Sequence, residues 1–260
     1  MDRFLRIERL LGRDALEALK NSTVTVVGLG AVGGYAVEGL ARAGVGGLRL
    51  VDFDRIRTHN INRQLIALDS TVGMKKVEAI ALRVSQINPR CRVDVLDLFA
   101  DKDTAGAILE PKPDLLIDAI DSLNPKFELL TEAVQRGIPI LSSMGAALRT
   151  DPSKIRVADL METKKCPLAR RLRKKLRKHW AQDGITCVYS EEDVDFEYRD
   201  PEQDDEDAVV PGYERGRPRR VLGSLPTITG VFGLILANIA IQKLVKDLGR
   251  LNNLRDQRRL

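Results

Sequence analysis

Three glycines, Gly28, Gly30 and Gly33, stand at Gly-x-Gly-x-x-Gly spacing where the β-rich run beginning at Thr23 ends. A strand that breaks into such a turn and enters a helix, here over 36–43, points backbone N–H groups at a phosphate. The glycines remove the Cβ atoms that would block its approach. Ala31 lies within the turn. The next strand, Leu48 to Phe53, ends in Asp52-Phe53-Asp54, about twenty residues beyond the glycines, where an acid meets a ribose hydroxyl. Asp52 is the expected ribose ligand, with Asp54 beside it. The segments Asn60-Ile61-Asn62-Arg63-Gln64 and Val72-Gly73-Met74-Lys75-Lys76 then place compact cations just past the sugar-binding strand. A nicotinamide dinucleotide needs less. A triphosphate calls for a guanidinium fork, a lysine and a metal held by a carboxylate. That carboxylate is expected from Asp121, which closes a buried run starting at Asp114 and is the candidate Mg²⁺ ligand. Asp118 faces the opposite side of an extended run and reads as structural.

Such residues need a frame that delivers strand ends to one edge, and the chain alternates accordingly. A helix over 70–87 stops before Asn88-Pro89, and a strand over 91–98 precedes a short helix over 104–109. A strand over 115–120, a helix over 125–135 and a buried strand over 137–143 follow. This is an α/β pattern, a doubly wound Rossmann-like fold with a mostly parallel sheet. With 260 residues and 43% hydrophobic content the chain can bury a full core. The expected divisions are a nucleotide-binding core over 1–160, a basic helix with a crossover insertion over 161–220, and a C-terminal helix over 221–260.

In this order and spacing, Gly28-x-Gly30-x-x-Gly33, Asp52-Phe53-Asp54, Asn62-Arg63-Gln64, Val72-Gly73-x-x-Lys76 and Asp118-Ala-Ile-Asp121 resemble the ubiquitin-activating-enzyme-like adenylyltransferases, over most of residues 3–160. The resemblance implies ATP and Mg²⁺, with Asp52 on the ribose, Arg63 and Lys76 on the phosphates and Asp121 on the metal. It also implies a homodimer, a buried helix after a crossover connection, and an N-terminal arginine reaching into the neighbouring subunit's site. Arg3, Arg6 and Arg9 compete for that role, and Arg9 is the choice. Cys91, Cys166 and Cys187 form no CxxC pair, which excludes a sulfur-rich zinc site. Within the superfamily, the segments 151–160, 167–178 and 187–192 resemble the tRNA threonylcarbamoyladenosine dehydratase branch. That branch implies ATP-dependent ring closure of a modified tRNA nucleoside through an acyl-adenylate. The alternatives are activation of the C-terminus of a ubiquitin-like sulfur carrier, and a nucleotide-binding or redox-sensing module without transfer chemistry. Neighbouring families form thioesters or persulfides, which would make Cys187 a nucleophile or a sulfur-relay thiol, and a cysteine-desulfurase or sulfur-acceptor protein is a further candidate partner. A cysteine ahead of Val-Tyr with no adjacent base is more ordinarily buried and inert.

Leu168, Leu172, Leu176 and Trp180 make one apolar helical stripe. Arg170, Arg171, Arg173, Lys174, Lys175, Arg177 and Lys178 cover the remaining surface. Such a helix can dock on a core and offer its charge to RNA phosphates, with Arg215 to Arg220 and Arg255, Arg258 and Arg259 extending the track. A solvated helix and an anionic-membrane helix are the rival readings. The net charge of +5 is modest, because acids cluster at 191–207 between the basic runs. That stretch reads as a solvated insertion. His59 and His179 are the two histidines, and His59 reads as a hydrogen-bonded loop residue rather than a general base. Ser142 and Ser143 are given no chemistry. No secretory signal is legible and the cysteines look unpaired, so a cytoplasmic location is expected. Residues 221–242 carry no charge. The breaks at Thr229, Gly230, Gly233 and Asn238 suit a helix buried against the sheet or a dimer partner, and membrane association is not favoured.

Overall fold

The computed structural model describes residues 3–178, 183–194 and 222–246. Its frame is a seven-stranded sheet: β1 (Thr23–Val27), β2 (Gly47–Val51), β3 (Arg92–Leu96), β4 (Leu115–Asp118), β5 (Ile140–Ser143), β6 (Ile155–Asp159) and β7 (Ile185–Ser190), in the order β3-β2-β1-β4-β5-β7-β6. Every pairing is parallel except β6 with β7. The central strands are buried along their length, as apolar runs between two helical layers must be. The mostly parallel, doubly wound sheet is therefore the one expected from the alternation of elements.

One layer contains α2 (Arg13–Asn21), α3 (Gly33–Ala43), α4 (Lys76–Ile87) and α8 (Pro226–Leu244), with Leu19, Val37, Leu40, Ile80, Phe232 and Leu236 in its core. The other contains α5 (Ala105–Ile108), α6 (Leu123–Gln135) and α7 (Pro167–Leu176), with Ile108, Phe127, Leu130, Leu172 and Leu176. The short α1 (Leu5–Leu11) precedes α2. Helix α8 is long and apolar enough to cross a membrane by composition. It packs instead on α3: a Cβ on Gly39 would lie 2.7 Å from Ala237 Cβ, and one on Gly233 would lie 2.3 Å from Val32 O. Small residues on both helices permit this approach, which fits the expected burial against the sheet layer.

Three expectations need correction. The helix expected over 70–87 begins only at Lys76, because residues 73–75 are drawn into pairing with the chain after β2, through Ile56 N to Met74 O at 2.8 Å and Gly73 N to Ile56 O at 2.9 Å. The break expected at 160/161 is absent, since β7 inserts between β5 and β6 and α7 completes a core layer. The acidic run is not a plain solvated insertion where it begins. The Glu192 carboxylate accepts the N–H groups of Thr150 and Asp151, each at 2.9 Å, and Lys165 pairs with Asp193 at 2.7 Å. Nearby, Leu148 N donates to Gly223 O at 2.9 Å, so the same loop also holds the start of the final segment. Trp180, His179, residues 195–207, Arg215 to Arg220, and Arg255, Arg258 and Arg259 lie outside the described residues.

Candidate nucleotide site

The register of the sheet explains why residues far apart in sequence converge. Val27 pairs with Val51 on one side and with Asp118 on the other, and Asp118 pairs with Ser142. Four strands thus end level, and the loops holding Gly28, Asp52 and Asp121 leave from one edge. The order reverses between β1 and β4, the crevice where doubly wound sheets hold ligands.

The three glycines divide their work. Gly28 has φ +88°, and a Cβ there would lie 2.8 Å from Ala119 O, so the turn and its contact with the loop after β4 both exclude a side chain. A Cβ on Gly33 would lie 1.8 Å from Gly28 O, which locks the start of α3 onto the turn. Gly30 is different. Among the described residues a Cβ there would meet only Gln64 Nε2, at 3.7 Å. No packing demand among them explains this glycine, and an open glycine at a strand-to-helix turn is the form that lets a phosphate approach backbone N–H groups. Ala31 sits in the same turn, between this open position and the helix.

Asp52 is 8% exposed. Its Oδ2 accepts Leu29 N–H at 2.7 Å and its Oδ1 accepts Asp54 N–H at 2.8 Å, so the carboxylate is fixed against the glycine turn. Burial pushes this carboxyl above its ordinary range, with the nearby Lys76 ammonium opposing. Lys76 opens α4 and is itself buried, its Nζ 2.7 Å from Asp54 Oδ2 and 4.0 Å from Asp52 Oδ1. Asp54, expected to touch the nucleotide, is thereby the counter-ion that holds Lys76. Cations crowd this corner. The His59 imidazole is depressed by burial first, and then by Arg63, Arg57 and Lys76. Arg63 donates to His59 O at 2.9 Å and to Asn62 Oδ1 at 2.8 Å, so Asn62 orients the guanidinium rather than standing apart from it.

Asp121 is exposed on the loop after β4. Among the described residues no three His, Cys, Asp or Glu side chains gather into a metal cluster. Mg²⁺ is ordinarily held by one or two carboxylates together with substrate phosphates and water, and Asp121 offers one such carboxylate. Arg9 is exposed on α1, whereas Arg3 donates to Ile87 O at 2.5 Å and is tied to α4. Beneath the Asp121 loop lies a polar cluster that sequence reasoning reached only in part. Asp118 is structural, as its side of the strand implied. Its partner is Lys126, 0% exposed, whose Nζ lies 2.5 Å from Asp118 Oδ2, 3.0 Å from Ser143 O and 3.2 Å from Ser142 Oγ. Ser142 also donates to Asp118 Oδ2 at 2.6 Å, and Asp118 Oδ1 accepts Ile120 N–H at 3.0 Å. A buried ion pair thus fixes the loop that carries Asp121 and abuts Gly28. A lysine in the first turns of an amphipathic helix gives no sequence signal for such a role.

Helix α7 buries Leu168, Leu172 and Leu176 as the stripe required. Its cations do not act as one surface. Arg173 turns inward to Leu160 O and Thr163 Oγ1, and Lys175 lies 4.0 Å over the Phe127 ring while donating to Asn124 Oδ1 at 3.0 Å. These two are packing residues, a correction to the uniform RNA-binding face. Arg170, Arg171, Lys174, Arg177 and Lys178 remain exposed. Cys187 is wholly buried in β7, and burial pushes its thiol far up, which favours the inert reading.

A doubly wound sheet with an open phosphate cradle, a buried lysine and an acid at its switch point defines a nucleotide-binding protein suited to a phosphate-rich ligand. The ThiF family profile matches residues 1–258, and the chain belongs to that family. It is 38% identical, over 95% of its length and 96% of the relative's, to the tRNA threonylcarbamoyladenosine dehydratase of Bacillus subtilis. The crystal structure of the Escherichia coli tRNA N6-threonylcarbamoyladenosine dehydratase in complex with AMP superposes with a TM-score of 0.83 at 33% identity, covering 95% of this chain and 96% of that one. The same enzyme in complex with ATP gives a TM-score of 0.82 at 34% identity, with the same coverage.

Proposed function

We propose that this chain catalyses the ATP-dependent dehydration of N6-threonylcarbamoyladenosine in tRNA, closing the modification into a ring. The observation that carries this reading is the end-to-end likeness to a dehydratase solved with AMP and with ATP, falling on a crevice in which Gly30 alone among the motif glycines is left open. ATP is a substrate here. The carboxylate of the threonylcarbamoyl group attacks the α-phosphorus, the bond to the β-phosphate breaks, and pyrophosphate leaves with its electron pair. The resulting acyl-adenylate is attacked by the carbamoyl group of the same modification, AMP departs, and the net change is loss of one water.

The chain's part in this is positioning and electrostatics. Asp52 holds the ribose, Gly30 and the start of α3 receive the phosphates, and Lys76 and Arg63 balance the developing charge. Asp121 holds Mg²⁺, which supplies charge neutralisation on the phosphates when bound. Ring closure within the substrate needs no protein nucleophile, which suits the sealed Cys187. The exposed cations of α7 serve the tRNA backbone. A second copy of the chain covers the outer face of α8, where Leu234 is exposed beside Val231 and Ile235, and brings Arg9 to its neighbour's nucleotide. The cytoplasm, where tRNA is modified, is the place for such an enzyme.

The test is incubation with ATP, Mg²⁺ and tRNA carrying the modification, read by mass spectrometry. Loss of one water from the nucleoside is expected. No mass change with folded, ATP-binding protein overturns the reading, and pyrophosphate release stimulated by a sulfur-carrier protein instead of tRNA replaces it with carrier activation.

A further inference from the structure

Gln64 is the buried polar side chain of the crevice that the roles above leave unused. It is 7% exposed, and its Oε1 is buried with no hydrogen-bond partner among the described residues. Its position is fixed from both sides: Gln64 N donates to Asn60 O at 2.9 Å, and Ala67 N donates to Gln64 O at 3.0 Å. The adjacent Leu65 lies against Gly34, so the 60–67 loop forms a wall along the start of α3. On that wall the Gln64 amide meets the open glycine, its Nε2 being, among the described residues, the one group within 4 Å of the point a Cβ on Gly30 would occupy. A buried amide oxygen left unpaired is costly, and native proteins rarely keep one without a use.

We infer that Gln64 is a nucleotide-contacting residue, donating from Nε2 to a phosphate oxygen seated at Gly30 and accepting at Oε1 from a water of the Mg²⁺ hydration shell. The assignment rests on the ATP-binding reading of the crevice. It follows from donor and acceptor inventory. Ionised phosphates carry acceptors only, so they take the Nε2 edge and leave Oε1 unsatisfied. At the phosphate end of the nucleotide, the N–H and O–H groups of the base and ribose are remote. The remaining donor there is metal-bound water, which Mg²⁺ retains because it dehydrates reluctantly.

Calorimetry on the full chain, without tRNA, tests this with Gln64→Leu and Gln64→Glu, titrating ATP with Mg²⁺ and ATP with EDTA. Gln64→Leu removes the orphaned acceptor, so its urea midpoint should equal or exceed that of the unaltered protein. Its affinity for Mg·ATP should nevertheless fall about tenfold or more, the worth of one hydrogen bond to a charged group. The loss should be smaller for ATP in EDTA, where the metal waters are gone. Gln64→Glu should bind Mg·ATP more weakly still, because a carboxylate then faces the phosphates. Affinities within about twofold of the unaltered protein in both variants overturn the inference, as does a Gln64→Leu variant that loses stability but keeps its Mg·ATP affinity. Absence of heat with the unaltered protein would instead remove the ATP reading itself. Failure to dehydrate tRNA with ATP binding intact would remove only the proposed reaction.

Discussion

Gly30 and Gly33 lie three residues apart in one turn, yet alanine should separate them completely. At Gly33 the new Cβ would sit 1.8 Å from Gly28 O, 2.9 Å from Gly28 C and 3.3 Å from Ala119 Cβ. Relief requires α3 to back away from the turn, so overpacking of backbone against backbone should cost at least ~3 kcal/mol, a large part of a typical domain's stability. At Gly30 the nearest atom is the end of the Gln64 side chain at 3.7 Å, an ordinary contact. There alanine should change stability by less than ~1 kcal/mol, and the smaller entropy of the unfolded chain offsets part of that. Binding should show the opposite pattern. A methyl group at Gly30 holds the phosphate off the turn and forfeits at least one charge-assisted hydrogen bond, ~1.5–3 kcal/mol, or roughly 10- to 150-fold in ATP affinity. Urea unfolding and ATP calorimetry on the two variants decide the matter. If Gly30→Ala unfolds as readily as Gly33→Ala, or binds ATP like the unaltered protein, the assignment of Gly30 to the ligand is wrong.

Lys126→Met should lose about 3–5 kcal/mol, because it strands the fully buried Asp118 carboxylate, whereas Asp118→Leu with Lys126→Met should recover most of the loss. A double-mutant cycle in urea with additive losses would contradict the coupling. Burial pushes the Cys91 thiol up to about 11, so at pH 8 on the order of one in a thousand of these groups is thiolate. Mass spectrometry after iodoacetamide treatment should find Cys91 and Cys187 unmodified in the folded protein at pH 8 and alkylated in urea. The His59 imidazole, depressed by burial and by Arg63, Arg57 and Lys76, is more often neutral in the folded chain than in the unfolded one. It should therefore reduce stability as pH falls through the ordinary histidine range, and triphosphate binding should move its NMR titration upward; a downward move would place the phosphates elsewhere. Neutralising Arg170, Arg171 and Lys174 together should weaken tRNA binding and flatten its salt dependence, while Lys175→Ala should act mainly on stability through Phe127 and Asn124. Equal salt slopes for both would return Lys175 to the RNA face.

The glycine turn, Asp52 and the structural side of Asp118 were legible because each follows from local geometry: a turn that excludes Cβ, a strand end, a two-residue alternation. The apolar stripe of α7 was legible for the same reason. What escaped depends on contacts between distant segments. Lys126 looks like a surface cation in its own helix, and only the β4–β5 register places Asp118 and Ser142 around its ammonium. Arg173 and Lys175 differ from their neighbours by which element they meet, which periodicity does not encode. The segment 151–160 carried a family likeness without a structural reading. Strand β6 there is an edge strand, half-exposed and without the strong apolar signal of the central strands. Asp54 was assigned to the nucleotide because its position is right, but the late start of α4, at Lys76, turns that lysine onto it.

The loop after β5 receives the chain twice, at Glu192 through Thr150 and Asp151, and at Gly223 through Leu148. Both attachments, on either side of the stretch between them, are therefore made to one loop. The loop after β5 thus works as a clasp: disturbing it loosens two distant parts of the chain at once, the one that follows β7 and the one that enters α8.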